Sequence, residues 1–164
     1  MEIKLKKITI EDKSLLANMF QLYLYDITRF LDMEMNSHGL YDYAYLDYYW
    51  TNPNYEAFFI TVDQKIAGFA LLNDEFMKLD CSDSHCISEF FILNKYRKNK
   101  IGKQVVKMIF DKYRGYWEVR PIPKSPEAKE FWEKVIKEYT NDNFEIFFPK
   151  PTREIITFKN QNKI

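Results

Sequence analysis

The stretch Glu89-Phe-Phe-Ile-Leu-Asn-Lys-Tyr-Arg-Lys-Asn-Lys-Ile-Gly-Lys103 carries an apolar strand into a short basic loop that opens an amphipathic helix. A helix beginning near Ile101 presents backbone N–H groups without intrahelical partners and the positive end of its macrodipole. Arg97, Lys98, Lys100 and Lys103 surround the same point with cations. Such a grip suits an anion, a pyrophosphate above all. A nucleotide P-loop would also end in Gly-Lys, as at Gly102-Lys103. However, position 97 is Arg rather than Gly, and Gln104 stands where a Mg²⁺-binding hydroxyl is needed.

Upstream of this stretch, Ile3, Leu5 and Ile8 suggest a first strand, and Thr9-Ile-Glu-Asp12 reads as a capping box. Apolar residues from Leu15 to Phe30 then recur at helical spacing, predicting a helix or bent pair to about residue 35. Tyr41 to Trp50 is dense in aromatics, with no clear periodicity. Ala57–Val62 and Ile66–Leu72 form a hairpin around Asp63-Gln-Lys65, and a polar loop leads to the strand Ile87–Leu93.

Downstream, Ile101–Tyr113 is a helix with Gly115 as its expected cap, and Trp117–Pro121 is a short strand. Ser125-Pro-Glu-Ala starts a second helix with serine as N-cap and proline in the first turn. Its stripe of Ala128, Phe131, Trp132, Val135, Ile136 and Tyr139 faces a core. Strands near Phe144–Phe148 and Glu154–Phe158 end the pattern. Residues 1–164 read as one domain, with no repeat or linker.

Hydrophobic residues are 46% of the 164, and the 24 basic and 24 acidic side chains cancel. This balance argues against a general nucleic-acid binder. No segment approaches the run of about 20 apolar residues that a membrane span needs, and the early lysines lack the apolar run of a signal peptide. A cytoplasmic protein is expected. Cys81 and Cys86 flank His85, a spacing that could hold a metal or close a small disulfide. With His38 the sole other histidine, two reduced thiols and no metal is the reading kept.

Arg97-Lys-Asn-Lys-Ile-Gly102 is similar to the Arg/Gln-x-x-Gly-x-Gly/Ala acyl-CoA segment of the GNAT N-acetyltransferase superfamily, with Lys100 at the first glycine. Trp117-Glu-Val-Arg, followed by Ser125-Pro-Glu-Ala-Lys-Glu-Phe-Trp132, resembles that superfamily's second half. With Phe20-Gln-Leu-Tyr-Leu-Tyr-Asp26 it is similar to a subgroup of uncharacterised predicted acetyltransferases. The resemblance implies an α+β fold: a twisted mixed sheet of about six or seven strands, about four helices, and a splay between two central parallel strands.

The resemblance further implies acetyl-CoA as co-substrate, an amine of a small molecule or peptide as acceptor, and a monomer or homodimer. Phe91, Ile92 and Leu93 would pair with pantetheine. Arg97, Lys98, Asn99, Lys100, Ile101, Gly102 and Lys103 would hold the pyrophosphate, and Ser125 and Trp132 would flank the thiol arm. The first helix would supply Tyr23, Tyr25 and Asp26 to the acceptor, joined by the tyrosines of residues 41–50.

Glu89 interrupts an apolar strand, and alternation places it on a face with Ile87, Phe91 and Leu93. A carboxylate among aromatics has a raised pKa and suits a general base, although a strand glutamate can equally pair with a nearby cation. Trp132 stands where relatives carry an acidic tyrosine, and an indole cannot protonate a thiolate. That role passes to Tyr139, Tyr23 or Tyr25, or is dispensed with. A non-catalytic acyl-CoA-binding or protein-interaction module on the same fold is the alternative reading. Lys100 is expected to be tolerated at a negative φ.

Overall fold

The computed structural model describes residues 1–151 and 153–160. Among the described residues, seven strands form one sheet: β1 Ile3–Lys7, β2 Glu56–Val62, β3 Lys65–Asn73, β4 Ser84–Ile92, β5 Gly115–Val119, β6 Glu145–Lys150 and β7 Arg153–Asn160. Their order is β1-β2-β3-β4-β5-β7-β6, antiparallel except for the parallel pair β4–β5. The helices are α1 Lys13–Ile27, α2 Tyr48–Thr51, α3 Ile101–Lys112 and α4 Pro126–Thr140. The mixed sheet with its four helices is the α+β architecture expected.

Each face of the sheet carries its own core. Phe58, Ile60, Val62, Trp117, Ile156 and Phe158 pack against α3 and α4, while Ala57, Phe59, Phe69, Leu71 and Phe91 pack against α1 and Tyr49. The alternation of β2, with even residues to one face and odd to the other, is the two-residue period of a strand covered on both sides. Asp63 and Gln64 turn the β2–β3 hairpin with φ of 46° and 66°, as a tight turn matched to strand twist requires. No helix among the described residues is long and apolar enough to cross a membrane.

Several boundaries differ from expectation for local reasons. The first helix ends at Ile27, where the Thr28 hydroxyl turns back to Tyr25 O at 2.7 Å, and residues to 35 are not helical. Gly115 is not a helix cap. It begins β5 with φ 131°, and a Cβ there would lie 2.0 Å from Asp83 O, the carbonyl that accepts from Tyr116 N at 2.8 Å. In α3, Phe110 is buried and Met108 only half-buried.

The largest departure lies in β4. Leu71 pairs with Glu89 and Leu72 with Ile87, so Ser88 is an extra residue, a β-bulge. Glu89 and Phe91 consequently face α1, with Leu93 packed on the same side, while Ile87 points into the α3–α4 core with Ile92. The uniform alternation read from the sequence holds only after the bulge.

The candidate active site

β4 and β5 pair from Ser84–Tyr116 to Ile87–Val119 and then part, because β5 ends while β4 runs on to Ile92. A cleft of about 260 Å³ opens at the parting. Ser88, Phe90 and Ile92 line one side of it, Arg120, Ile122 and Ser125 another, and Phe131 and Trp132 of α4 a third. Phe90 and Phe131 stack at 5.9 Å, and Trp132 meets Phe90 edge-on at 5.4 Å, an apolar wall of three rings. Ser125 caps α4 by accepting from Ala128 N at 3.1 Å, which accounts for its side chain as it borders the cleft.

The basic loop reaches the same cleft through Arg97 and Gly102. The first intrahelical bond of α3 runs from Gln104 N to Lys100 O, so the amides of Ile101, Gly102 and Lys103 precede the ladder. Lys98 and Lys100 adopt φ of 63° and 59°, not the negative value expected at Lys100. Left-handed lysine costs roughly 1 kcal/mol over glycine, and the conformation turns the chain sharply into the helix. Gly102 has a packing reason for lacking a side chain: a Cβ would sit 3.2 Å from Phe131 Cε2 and 3.7 Å from Phe90 Cε1.

The loop's cations are unevenly free. Arg97 donates through Nε to Ile92 O at 2.8 Å and through Nη2 to Asp26 Oδ2 at 2.6 Å, and Lys103 pairs with Glu138. Lys98, Asn99 and Lys100 are exposed. Within Phe91–Leu93, Leu93 N already donates to Ala67 O at 2.8 Å. That bond is to β3; on the other side β5 pairs with β4 only as far as Ile87, and beyond it Ile92 O already accepts from Arg97.

Beside the cleft is a second hollow, about 370 Å³, walled by Tyr23, Tyr43, Tyr45, Tyr49 and Tyr55 and bearing Glu75, Glu89, Arg120 and Arg153. Gln21 clamps the tyrosine loop to α1: its Nε2 donates to Tyr41 O at 3.0 Å and its Oε1 accepts from Tyr41 N at 2.8 Å. Tyr43 then reaches Glu89 Oε1 at 3.1 Å, and the Tyr23 hydroxyl donates to Oε2. Burial raises the Glu89 pKa, opposed by these two hydrogen bonds and by the Arg120 charge. Tyr23 is pushed well above the usual phenol range, by burial first and the Glu89 charge second. Tyr23, Ser88 and Arg120 border both hollows.

The predicted residues are thus sorted. Glu89 and Tyr23 come together; Asp26 is nearby but paired with Arg97 and, at 3.3 Å, with Arg29. Tyr25 is 68% exposed and lines neither hollow. Tyr139 is removed from the site: it lies seven residues past Trp132 on α4, about 10 Å along the axis, and its hydroxyl donates to Asp111 at 3.0 Å. His85 Nε2 lies 2.9 Å from Arg114 O, and both cysteines are free.

Arg120 and Glu118 escaped the sequence reading. Glu118 is fully buried and accepts from the amides of Met77, Lys78 and Leu79 at 2.9, 2.9 and 3.2 Å, fastening the loop before β4, with Arg120 at 3.6 Å. A charged residue within the apolar strand Trp117–Val119 was the available signal, the same one that marked Glu89.

A parted parallel strand pair has a helix N-terminus at the head of its cleft and a carboxylate beside it. The acetyltransferase (GNAT) family model matches residues 22–136, and the chain belongs to that family. No curated protein matches. Among solved structures, the fold is similar to an acetyltransferase from Thermus thermophilus, with 17% identity, 98% of each chain covered and a TM-score of 0.69. A protein from Pyrococcus horikoshii has 23% identity, with 98% of this chain and 100% of that one covered and a TM-score of 0.68. The PaiA N-acetyltransferase from Thermoplasma acidophilum, in complex with coenzyme A, has 13% identity, with 98% and 100% covered and a TM-score of 0.63. At these identities the likeness concerns the fold.

Proposed function

We propose that this protein is an acetyl-CoA-dependent N-acetyltransferase that moves the acetyl group to an amine by direct attack on the thioester. The observation that carries the reading is the meeting of the two hollows at Tyr23, Ser88 and Arg120, with Glu89 in the tyrosine-walled one. The cleft suits the cofactor arm. The open edge of β4 offers backbone groups to pantetheine as a neighbouring strand would, and the three-ring wall covers its apolar side. The α3 amides, with Lys98 and Lys100, face the pyrophosphate.

In the acceptor hollow, the amine must be neutral to attack. Glu89 has the raised pKa that accepting its proton requires. Nitrogen's lone pair forms the bond to the carbonyl carbon, the C–S bond breaks, and the nitrogen's proton passes to Glu89. The departing thiolate, of ordinary pKa about 8.5, is a tolerable leaving group. Burial keeps Tyr23 from ionising alone, so its proton moves only as another arrives. The hydroxyl of Tyr23 relays the proton, giving its own to sulfur as it takes the one on Glu89 in the same movement, which restores the resting carboxylate.

Calorimetry with acetyl-CoA, followed by thiol release with a panel of amines and peptides, tests the reading. Binding with turnover is expected. Binding without turnover on any amine would leave a non-catalytic acyl-CoA module, and failure of acetyl-CoA to bind would remove the assignment altogether.

A further inference from the structure

The acceptor hollow is charged in two halves. Its carboxylates come from the β3–β4 side: Glu75 follows the end of β3 and Glu89 lies in β4. Its guanidiniums come from the β5–β7 side: Arg120 directly follows β5 and Arg153 begins β7. Because the sheet order is β3-β4-β5-β7, acid and base stand on opposite sides of the parting between β4 and β5.

The partners of these groups differ. Arg120 is held by Glu118 at 3.6 Å and by Cys86 Sγ at 3.2 Å, and Glu75 accepts from the Tyr55 hydroxyl. No carboxylate among the described residues pairs with Arg153. A diamine could set its second cation at Glu75, yet it would bring no anion to Arg153. A simple alkylamine would leave Arg153 without a counter-charge. An amine that also bears an anion answers both halves, and a guanidinium presents a planar fork of donors to a carboxylate or a phosphate alike.

We propose that the acceptor is a primary amine carrying an anionic group, carboxylate or phosphate, held with its nitrogen at Glu89 and its anion at Arg153. This rests on the acetyltransferase reading above and adds the class of acceptor. Arg153 is then the residue that sets specificity.

The test measures acetyl transfer to γ-aminobutyrate, phosphoethanolamine, butylamine and putrescine, with the full-length protein and acetyl-CoA. One of the two anionic amines is expected to exceed butylamine and putrescine in kcat/KM by about fivefold, the upper end for an ion pair on an exposed guanidinium. Which of the two leads tells carboxylate from phosphate. Arg153→Gln should close that gap through KM rather than kcat, and Arg153→Lys should keep part of it. Preference for butylamine or putrescine, or a gap that survives Arg153→Gln, overturns the inference while leaving the acetyltransferase reading intact. Bound acetyl-CoA with no turnover on any of the four overturns the inference, and the acetyltransferase reading falls with it only when the wider panel of amines and peptides also fails.

Discussion

Arg97, in the loop before α3, and Asp26, near the end of α1, form an ion pair of 2.6 Å on the wall of the cleft, and the same guanidinium reaches Ile92 O. The cation that the sequence offers to a pyrophosphate thus fastens the loop to α1 and to the end of β4. Both side chains are about a quarter to a third exposed, so screening limits the pair to about 1 kcal/mol. Arg97→Ala should lower stability by that amount in urea and weaken acetyl-CoA binding by loosening the loop. Arg97→Lys should recover little, since an ammonium on one stem cannot fork to both acceptors. Full recovery by lysine would show that charge alone matters.

Glu89→Gln should retain acetyl-CoA affinity and lose turnover, with the loss greatest at high pH. Below the raised pKa the wild-type carboxyl is already protonated and the two proteins converge. The sign for stability is opposite. A carboxyl whose folded pKa is raised binds its proton more tightly folded than unfolded, so stability falls as pH climbs from the ordinary carboxylate range through the folded value. Glu89→Gln should therefore melt above wild type at neutral pH, and that advantage should vanish in acid. A pH-independent difference in melting would contradict a buried, titrating carboxyl.

Gly102→Ala sets helix propensity against packing. Alanine favours the α3 helix by about 1 kcal/mol, but its Cβ meets the Phe131 ring at 3.2 and 3.3 Å. Phe131 must yield by a few tenths of an ångström, which disturbs the aromatic wall. Little net change in stability is expected, with weaker acetyl-CoA binding and an altered Trp132 fluorescence response. Unchanged affinity would separate that wall from the ligand.

Lys100→Gly should move stability and binding in opposite directions. Relief of the left-handed φ of 59° favours the fold by about 0.5–1 kcal/mol, offset in part by the greater freedom of glycine when unfolded. Losing an exposed cation should weaken acetyl-CoA binding, and more so at low salt. Affinity independent of ionic strength in both proteins would take Lys100 out of the phosphate field.

Much of the site was legible because its signals are local. A basic loop before a helix, a Ser-Pro cap and a lone glutamate in an apolar strand each announce themselves within a few residues. What the sequence hid depends on contacts between distant segments. Nothing near Asp26 marks it as a partner for Arg97, and nothing near Tyr139 marks Asp111 as the acceptor of its hydroxyl. The Gln21 clamp on Tyr41 is equally long-range. The choice among tyrosines was half legible: Tyr23 falls on the apolar stripe of its helix and Tyr25 does not, but the meeting of Tyr23 with Glu89 is long-range.

The bulge at Ser88 works as a frameshift written in three dimensions. Had Ser88 been paired regularly in the ladder, the odd positions after it would have stayed in phase with Ile87. Glu89 would then have been buried in the α3–α4 core with no tyrosine to receive it. One surplus residue lets a single strand belong to one core at Ile87 and to the other at Phe91, and it delivers the carboxylate at the crossover. Deleting Ser88 would therefore straighten the strand and leave Glu89 on its present face beside Leu71, whereas forcing Ser88 into the regular ladder would exchange inside for outside along the half of β4 on which the chemistry depends.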